Sequence, residues 1–275
     1  MTRVMDFADH RRDLAANRHV YAVVSRRARG LSIGINLNAD KVCNFDCPYC
    51  QVDRTTPGGP RAIDVSLLRA EFDHLLGLVR SGTLWTTPPF DTALASLRRV
   101  SDIAFAGDGE PTTAREWTAA ARTVHAARGD LAVPIRLLTN ATMLHRTRVR
   151  EGLAFIDEVW CKLDAGTAGY FARVDGTTFP FATVLRNITA LARERPVVLQ
   201  CMFLAIDGVG PTEDEIDAWA GRIADIRAAG GIVDRVQVYT VARRPAQPNI
   251  SALPMERLAA IAARAGGPAE VFGPG

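Results

Sequence analysis

The sequence predicts an α/β protein, a partial (β/α)6 TIM-type barrel with parallel strands, and three observations carry that reading. From residue 31 onward, apolar runs of strand length alternate with segments of helical period. Six such strands can be counted, fewer than the eight of a complete barrel. The stretches with chemical potential, "CNFDCPYC", "GDGE", "TN" and "KLD", each follow a strand directly. Functional groups in parallel α/β folds gather at the carboxyl ends of strands, so these four are expected to converge.

The elements follow in order. Residues 1–30 read as an N-terminal basic extension, and residues 31–275 as a single domain. "LSIGINLN" (31–38) is the first predicted strand and runs straight into the cysteine loop. In "DVSLLRAEFDHLLGLVRSG", Leu68, Phe72, Leu75, Leu76 and Val79 share one helical face, with Asp64 as N-cap and Gly82 just past the end. "DIAFAGDGE" is a strand ending in a glycine-rich turn, followed by the helix "TAREWTAAARTVHAARG". "PIRLLTNA", "EVWCKLDA", "PVVLQCMFLAI" and "DRVQVYTVAR" are the remaining strands. "HRTRVREGLAF", "PFATVLRNITALARER" and "TEDEIDAWAGRIADIRAAG" are the helices between them, and "PMERLAAIAARAG" closes the chain as a helix.

Composition narrows the function classes. A net charge of +3 is too mild to argue for nucleic acid, and an aromatic content of 7% with no stacking motif makes an RNA-binding module the weakest reading. The basic residues are nearly all arginine, with Lys41 and Lys162 the two lysines. Arg3, Arg11, Arg12, Arg18, Arg26, Arg27 and Arg29 crowd the N-terminal stretch, as a solvated surface or an anion-binding edge. The charged start "MTRVMDFADHRRDL" does not read as a secretory signal, and the longest apolar run falls short of the ~18 residues of a membrane span. The expectation is a cytoplasmic protein with reduced thiols.

Three of the five cysteines, Cys43, Cys47 and Cys50, stand within eight residues. Structural zinc asks for a closed set of four ligands in paired clusters, and no second cluster follows; His74 lies inside a helical pattern. A disulfide with one spare thiol does not suit a reducing compartment. An iron–sulfur cluster, whose normal ligands are thiolates, suits the loop best, and three ligands leave one iron of a four-iron cube free for a small molecule. Cys161 and Cys201 lie in strand patterns and read as core.

Cx3Cx2C after the first strand of a βα-repeat chain resembles the signature of the radical S-adenosylmethionine (SAM) superfamily. The resemblance implies a [4Fe–4S] cluster on Cys43, Cys47 and Cys50 and SAM as cosubstrate. It implies reductive cleavage of SAM to a 5′-deoxyadenosyl radical, and a one-electron donor such as flavodoxin or ferredoxin. "AGDGEPT" resembles the superfamily's glycine-glycine-glutamate turn, with Asp108 at the first glycine, Gly109 retained, and Glu110 facing the SAM ammonium. Tyr49 resembles the aromatic residue near the adenine. Thr139, Asn140, Lys162 and Asp164 end strands where polar groups could hold the ribose and carboxylate of SAM, or simply cap a strand end.

The segments "SRRARGLSIGINLNADKVCNFDCPYCQVDR", "DIAFAGDGEPT", "VWCKLDAGT" and "VQVYTVARRPA" resemble one branch more closely, the Fe–S oxidoreductases related to the tRNA wyosine-base (imidazoguanosine) synthases. Those synthases carry extra N-terminal cysteines for a second cluster, and no cysteine precedes Cys43 or follows Cys201 here. One cluster, and a redox-neutral outcome, is therefore the expectation, on an unidentified nucleoside, RNA, peptide or small metabolite. A non-catalytic Fe–S electron-transfer or redox-sensing protein is the alternative.

Overall fold

The computed structural model describes residues 17–25, 27–243, 245 and 247–274. The chain forms two compact units. One comprises Met1–Val42, Pro57–Leu137 and Thr147–Asp157, and the other Cys43–Thr56, Leu138–Arg146 and Glu158–Gly275.

The first unit begins with β1 (Val20–Ser25), which pairs antiparallel with β2 (Gly30–Ile35), Val20 opposite Ile35 and Ser25 opposite Gly30. β1 lies inside the stretch that the sequence reading treats as an extension. Its run "VYAVV" is buried throughout, a signal that the surrounding arginines obscure. Of those arginines, Arg3, Arg11, Arg12 and Arg26 lie outside the described residues. Arg27 and Arg29 sit in the turn to β2, where the Arg29 carbonyl accepts from the Arg99 guanidinium at 3.3 and 3.4 Å.

Helix α1 (Val65–Arg80) starts as its sequence dictates: Asp64 accepts from Ser66 N and Leu67 N, each at 3.0 Å. Its apolar face buries Leu68, Phe72, Leu75 and Leu76. Glu71, on the same helix, is buried and accepts from the backbone N–H groups of Arg18, His19 and Val20 at 2.8, 2.8 and 3.0 Å, which ties down the start of β1. β3 (Val100–Phe105) pairs parallel with β2 and with β4 (Ile135–Thr139), joined through α2 (Trp117–Arg128). α3 (Thr147–Leu153) follows, and the fully buried Trp117 donates its indole N–H to Val149 O at 3.0 Å.

The second unit continues the alternation. β5 (Glu158–Lys162) leads to α4 (Ala168–Val174) and α5 (Phe181–Glu194), then to β6 (Val197–Met202) and the short β7 (Leu204–Ile206). α6 (Glu213–Ala228), β8 (Val233–Tyr239), β9 (Ile250–Ala252), α7 (Met255–Ala262) and β10 (Ala269–Phe272) complete it. β5, β6, β8 and β10 pair in parallel in that order; β7 and β9 form a separate antiparallel pair. Every residue of β6 is buried, as a parallel strand covered on both faces requires.

Within the first unit the strands run in the order β1-β2-β3-β4, and within the second in the order β5-β6-β8-β10. The six expected strands are β2, β3, β4, β5, β6 and β8, which follow one another along the chain with helices between them, the succession of a partial (β/α)6 barrel. Three differences have local causes. "PVVLQCMFLAI" divides at Phe203 into β6 and β7, so one apolar run serves two sheets. α4 has seven residues with Gly169 inside it and Gly166 and Gly176 on either side, so glycine obscures its helical period. The chain also does not close as a helix: β10, four residues long, follows α7 and pairs with β8. Among the described residues no helix is long and apolar enough to cross a membrane.

Candidate functional site

The cysteine loop belongs to the second unit and is held from below by the segment that follows α4. Asp46 N donates to Gly176 O at 3.2 Å, and Cys50 N closes a turn onto Cys47 O at 2.9 Å. Gly176 has a left-handed φ of 57°, and a Cβ added there would lie 1.9 Å from Asp46 O, so only glycine lets the two backbones meet. Phe45 is buried edge-on against Phe171 of α4 at 5.5 Å between centroids, and Phe171 stacks on Phe181 of α5 at 4.8 Å. With Phe45 turned inward, Cys43, Cys47 and Cys50 all stay half-exposed, whereas Cys161 and Cys201 are fully buried in β5 and β6.

The end of β4 grips the same loop from its side. Asn140 Nδ2 donates to Asn44 Oδ1 at 2.7 Å, Asn44 Nδ2 to Thr142 Oγ1 at 2.7 Å, and Thr142 Oγ1 back to Asn140 Oδ1 at 2.7 Å. Thr139 Oγ1 accepts from Ala141 N at 3.0 Å and supports Ala141 at a left-handed φ of 62°. Asn187 of α5 donates to Ala141 O at 2.8 Å and Thr142 O at 3.1 Å. The polar pair at the end of this strand therefore shapes the wall beside Cys43.

A third set of contacts joins the loop to the end of β5. The Lys162 ammonium is paired with Asp164 and, at 2.8 Å, with Asp175. It also lies 4.4 Å from the centre of the Tyr49 ring, whose hydroxyl donates to Asp164. Asp164 accepts further from Met202 N at 2.8 Å, and the Cys47 thiol points at Asp175 Oδ1 at 3.8 Å. Burial pushes both carboxyls up, Asp175 to about 7, with the Lys162 charge opposing. Burial alone would pull the Lys162 ammonium down; its two carboxylates outweigh that and hold it well above its ordinary value. Burial also raises the Cys47 thiol, so forming its thiolate calls for a compensating cation such as a metal. The loop, "TN" and "KLD" are thus brought together as expected.

"GDGE" lies in the first unit, at the carboxyl end of β3, against the residues that follow β2. Asp108 and Asn36 are bonded both ways: Asn36 Nδ2 donates to Asp108 Oδ2 at 2.7 Å, and Asp108 N to Asn36 Oδ1 at 3.1 Å. That pairing gives the carboxylate at this position its own structural task. A Cβ at Gly109 would lie 2.3 Å from Val42 O and 2.8 Å from Asn38 Cγ, so the turn closes only on glycine. Glu110 is buried and caps a 3-10 turn, accepting from Thr112 N at 3.2 Å and Thr112 Oγ1 at 2.5 Å.

Among the described residues no three His, Cys, Asp or Glu side chains are gathered around one point where a single metal ion would sit. A four-iron cube asks for something else. Each thiolate binds a different iron, so the sulfurs stand apart at the corners of the cube. Three half-exposed thiols on one braced loop, without a fourth protein ligand in the motif, fit that donor set. Sequence reasoning missed Asn44, Thr142, Asn187, Asp175, Gly176 and Arg54. Their partners lie far along the chain or, for Arg54, belong to a loop without periodicity, so no local pattern marks them.

No protein-family model matches the chain. Among curated proteins it is 24% identical over 239 residues to a protein named GTPase Obg of Brachyspira hyodysenteriae, covering 86% of this chain and 32% of that one. It is 29% identical over 147 residues to a UPF0026 protein of Methanocaldococcus jannaschii (53% of this chain, 40% of that one). A UPF0026 protein of Synechocystis is 30% identical over 151 residues (53% and 48%). The chain spans about a third to a half of the length of these relatives. Among solved structures, it resembles a radical SAM methyltransferase from Sphaerobacter thermophilus, with a TM-score of 0.64 at 15% identity over 92% of this chain and 68% of that one. It also resembles Streptococcus suis SuiB bound to S-adenosylmethionine, with a TM-score of 0.59 at 12% identity over 90% and 52%. At 15% and 12% identity, what the chain shares with these two structures is the fold.

Proposed function

We propose that this chain is a radical SAM enzyme that ligates one [4Fe–4S] cluster through Cys43, Cys47 and Cys50 and cleaves SAM reductively. The observation that carries the reading is the cysteine loop itself. Three thiols are presented half-exposed on a loop braced by Gly176, Asn140 and Tyr49, within a fold shared with radical SAM enzymes. When bound, the cluster supplies the electron that splits SAM into methionine and a 5′-deoxyadenosyl radical, which takes hydrogen from substrate.

The chain's own residues supply position. Glu110 offers a buried carboxylate for the SAM ammonium, and Gly109 lets that turn close. Lys162 and Asp164 act through Tyr49, holding its ring and hydroxyl and with them the last cysteine of the motif. The electron comes from a low-potential one-electron donor of the flavodoxin or ferredoxin kind.

The test is anaerobic reconstitution, reduction with dithionite, addition of SAM and detection of 5′-deoxyadenosine by mass spectrometry. Turnover to 5′-deoxyadenosine is expected. A full cluster without that product would instead mark an electron carrier or redox sensor. In the same assay Glu110→Gln keeps an acceptor for Thr112 and removes the charge. SAM binding should weaken by about ten- to a hundredfold, the worth of one charge-assisted hydrogen bond. An unchanged Kd with the cluster intact would leave Glu110 as a cap and nothing more.

A further inference from the structure

Arg54 stands four residues beyond the last cysteine of the motif, and its Nη1 lies 3.2 Å from Cys50 Sγ. Beside Arg54, Asp53 gathers Thr55 and Thr56. Its Oδ1 accepts from Thr55 N at 2.9 Å and Thr55 Oγ1 at 2.5 Å, and its Oδ2 from Thr56 Oγ1 at 3.1 Å. Those bonds order the chain on both sides of Arg54, whose guanidinium donates to the sulfur.

On the reading that Cys50 ligates a cluster, we propose that Arg54 sets the cluster's reduction potential through an N–H···S hydrogen bond to the Cys50 sulfur. Reduction adds one electron to the cluster and breaks no bond, so the reduced form carries one more negative charge, spread over irons and sulfurs. A permanently charged donor aimed at a ligating sulfur stabilises the more negative form more strongly and raises the potential. Arginine suits this task because its guanidinium stays protonated at any working pH and presents donors in a rigid fork. Arg54 is a positioning and tuning residue here; it supplies no ligand.

The experiment is an EPR-monitored redox titration of anaerobically reconstituted wild type, Arg54→Gln and Arg54→Lys, with iron content measured on each. Arg54→Gln should hold full iron and show a lower midpoint. At the wild-type midpoint its ratio of reduced to oxidised cluster should fall about tenfold, equivalent to ~59 mV for one electron. Arg54→Lys, with the charge but without the fork, should fall between the two. A wild-type midpoint in Arg54→Gln at full iron overturns the proposal and leaves the enzyme reading standing. Loss of iron in Arg54→Gln assigns Arg54 to assembly instead, unless Arg54→Lys keeps its iron and shows the lowered midpoint. Wild type that assembles no cluster overturns both readings at once.

Discussion

Replacing Cys43, Cys47 and Cys50 together by alanine is expected to leave the reconstituted protein without iron and without brown absorbance, against about four irons per wild-type chain. The paired variant Cys161→Ala/Cys201→Ala should retain both. The contrast follows from placement. The first three thiols are half-exposed on one loop, while Cys161 and Cys201 are fully buried in neighbouring strands, where burial also raises the Cys201 thiol. Removing half-exposed side chains from a loop should leave the thermal unfolding of the iron-free protein close to wild type. The two buried replacements remove packed atoms and cost about 1 kcal/mol each. Iron analysis with a melting curve on the same samples separates the sets. Iron lost from Cys161→Ala/Cys201→Ala at unchanged folding would sink the three-ligand assignment.

Lys162→Met is expected to destabilise the iron-free protein by about 3–5 kcal/mol, read as a lower urea midpoint at unchanged slope. Lys162 stands between two buried carboxylates, Asp164 and Asp175. Methionine fills nearly the same volume, so the loss is electrostatic: two carboxyls are left without the cation that compensates their burial. Adding Asp175→Asn should then recover part of the loss, because one of the uncompensated acids is gone, and the double-mutant cycle measures the coupling. A Lys162→Met variant within 1 kcal/mol of wild type would mean that water reaches these carboxylates. The same variant removes the cation above the Tyr49 ring. Cluster lability should therefore rise along with the stability loss.

How far the sequence carries can be seen element by element. The six βα strands were legible because a parallel strand covered on both faces is a short apolar run, and the helices between them keep their own period. Helix α1 could be read to its N-cap, since Asp64 bonds to residues two and three positions away. β1, α4 and β10 escaped: each is short, glycine obscures the period of α4, and β1 is flanked by arginines that drew attention to charge.

At the site, the sequence alone determined the cysteine loop and the strand ends around it, because motif spacing and strand succession are local properties of the chain. It also marked Gly109, whose need is a close backbone approach. Only the tertiary structure decided what those residues do for one another. Asn140 reaches Asn44 across 96 residues of chain, Tyr49 reaches Asp164 across 115, and Cys47 faces Asp175 across 128. Such pairs leave no periodicity, since which polar side chains meet is settled by the packing of the strands and helices that carry them. The asparagine, lysine and aspartates around the loop became a brace when the fold removed water from them and left each the others as partners.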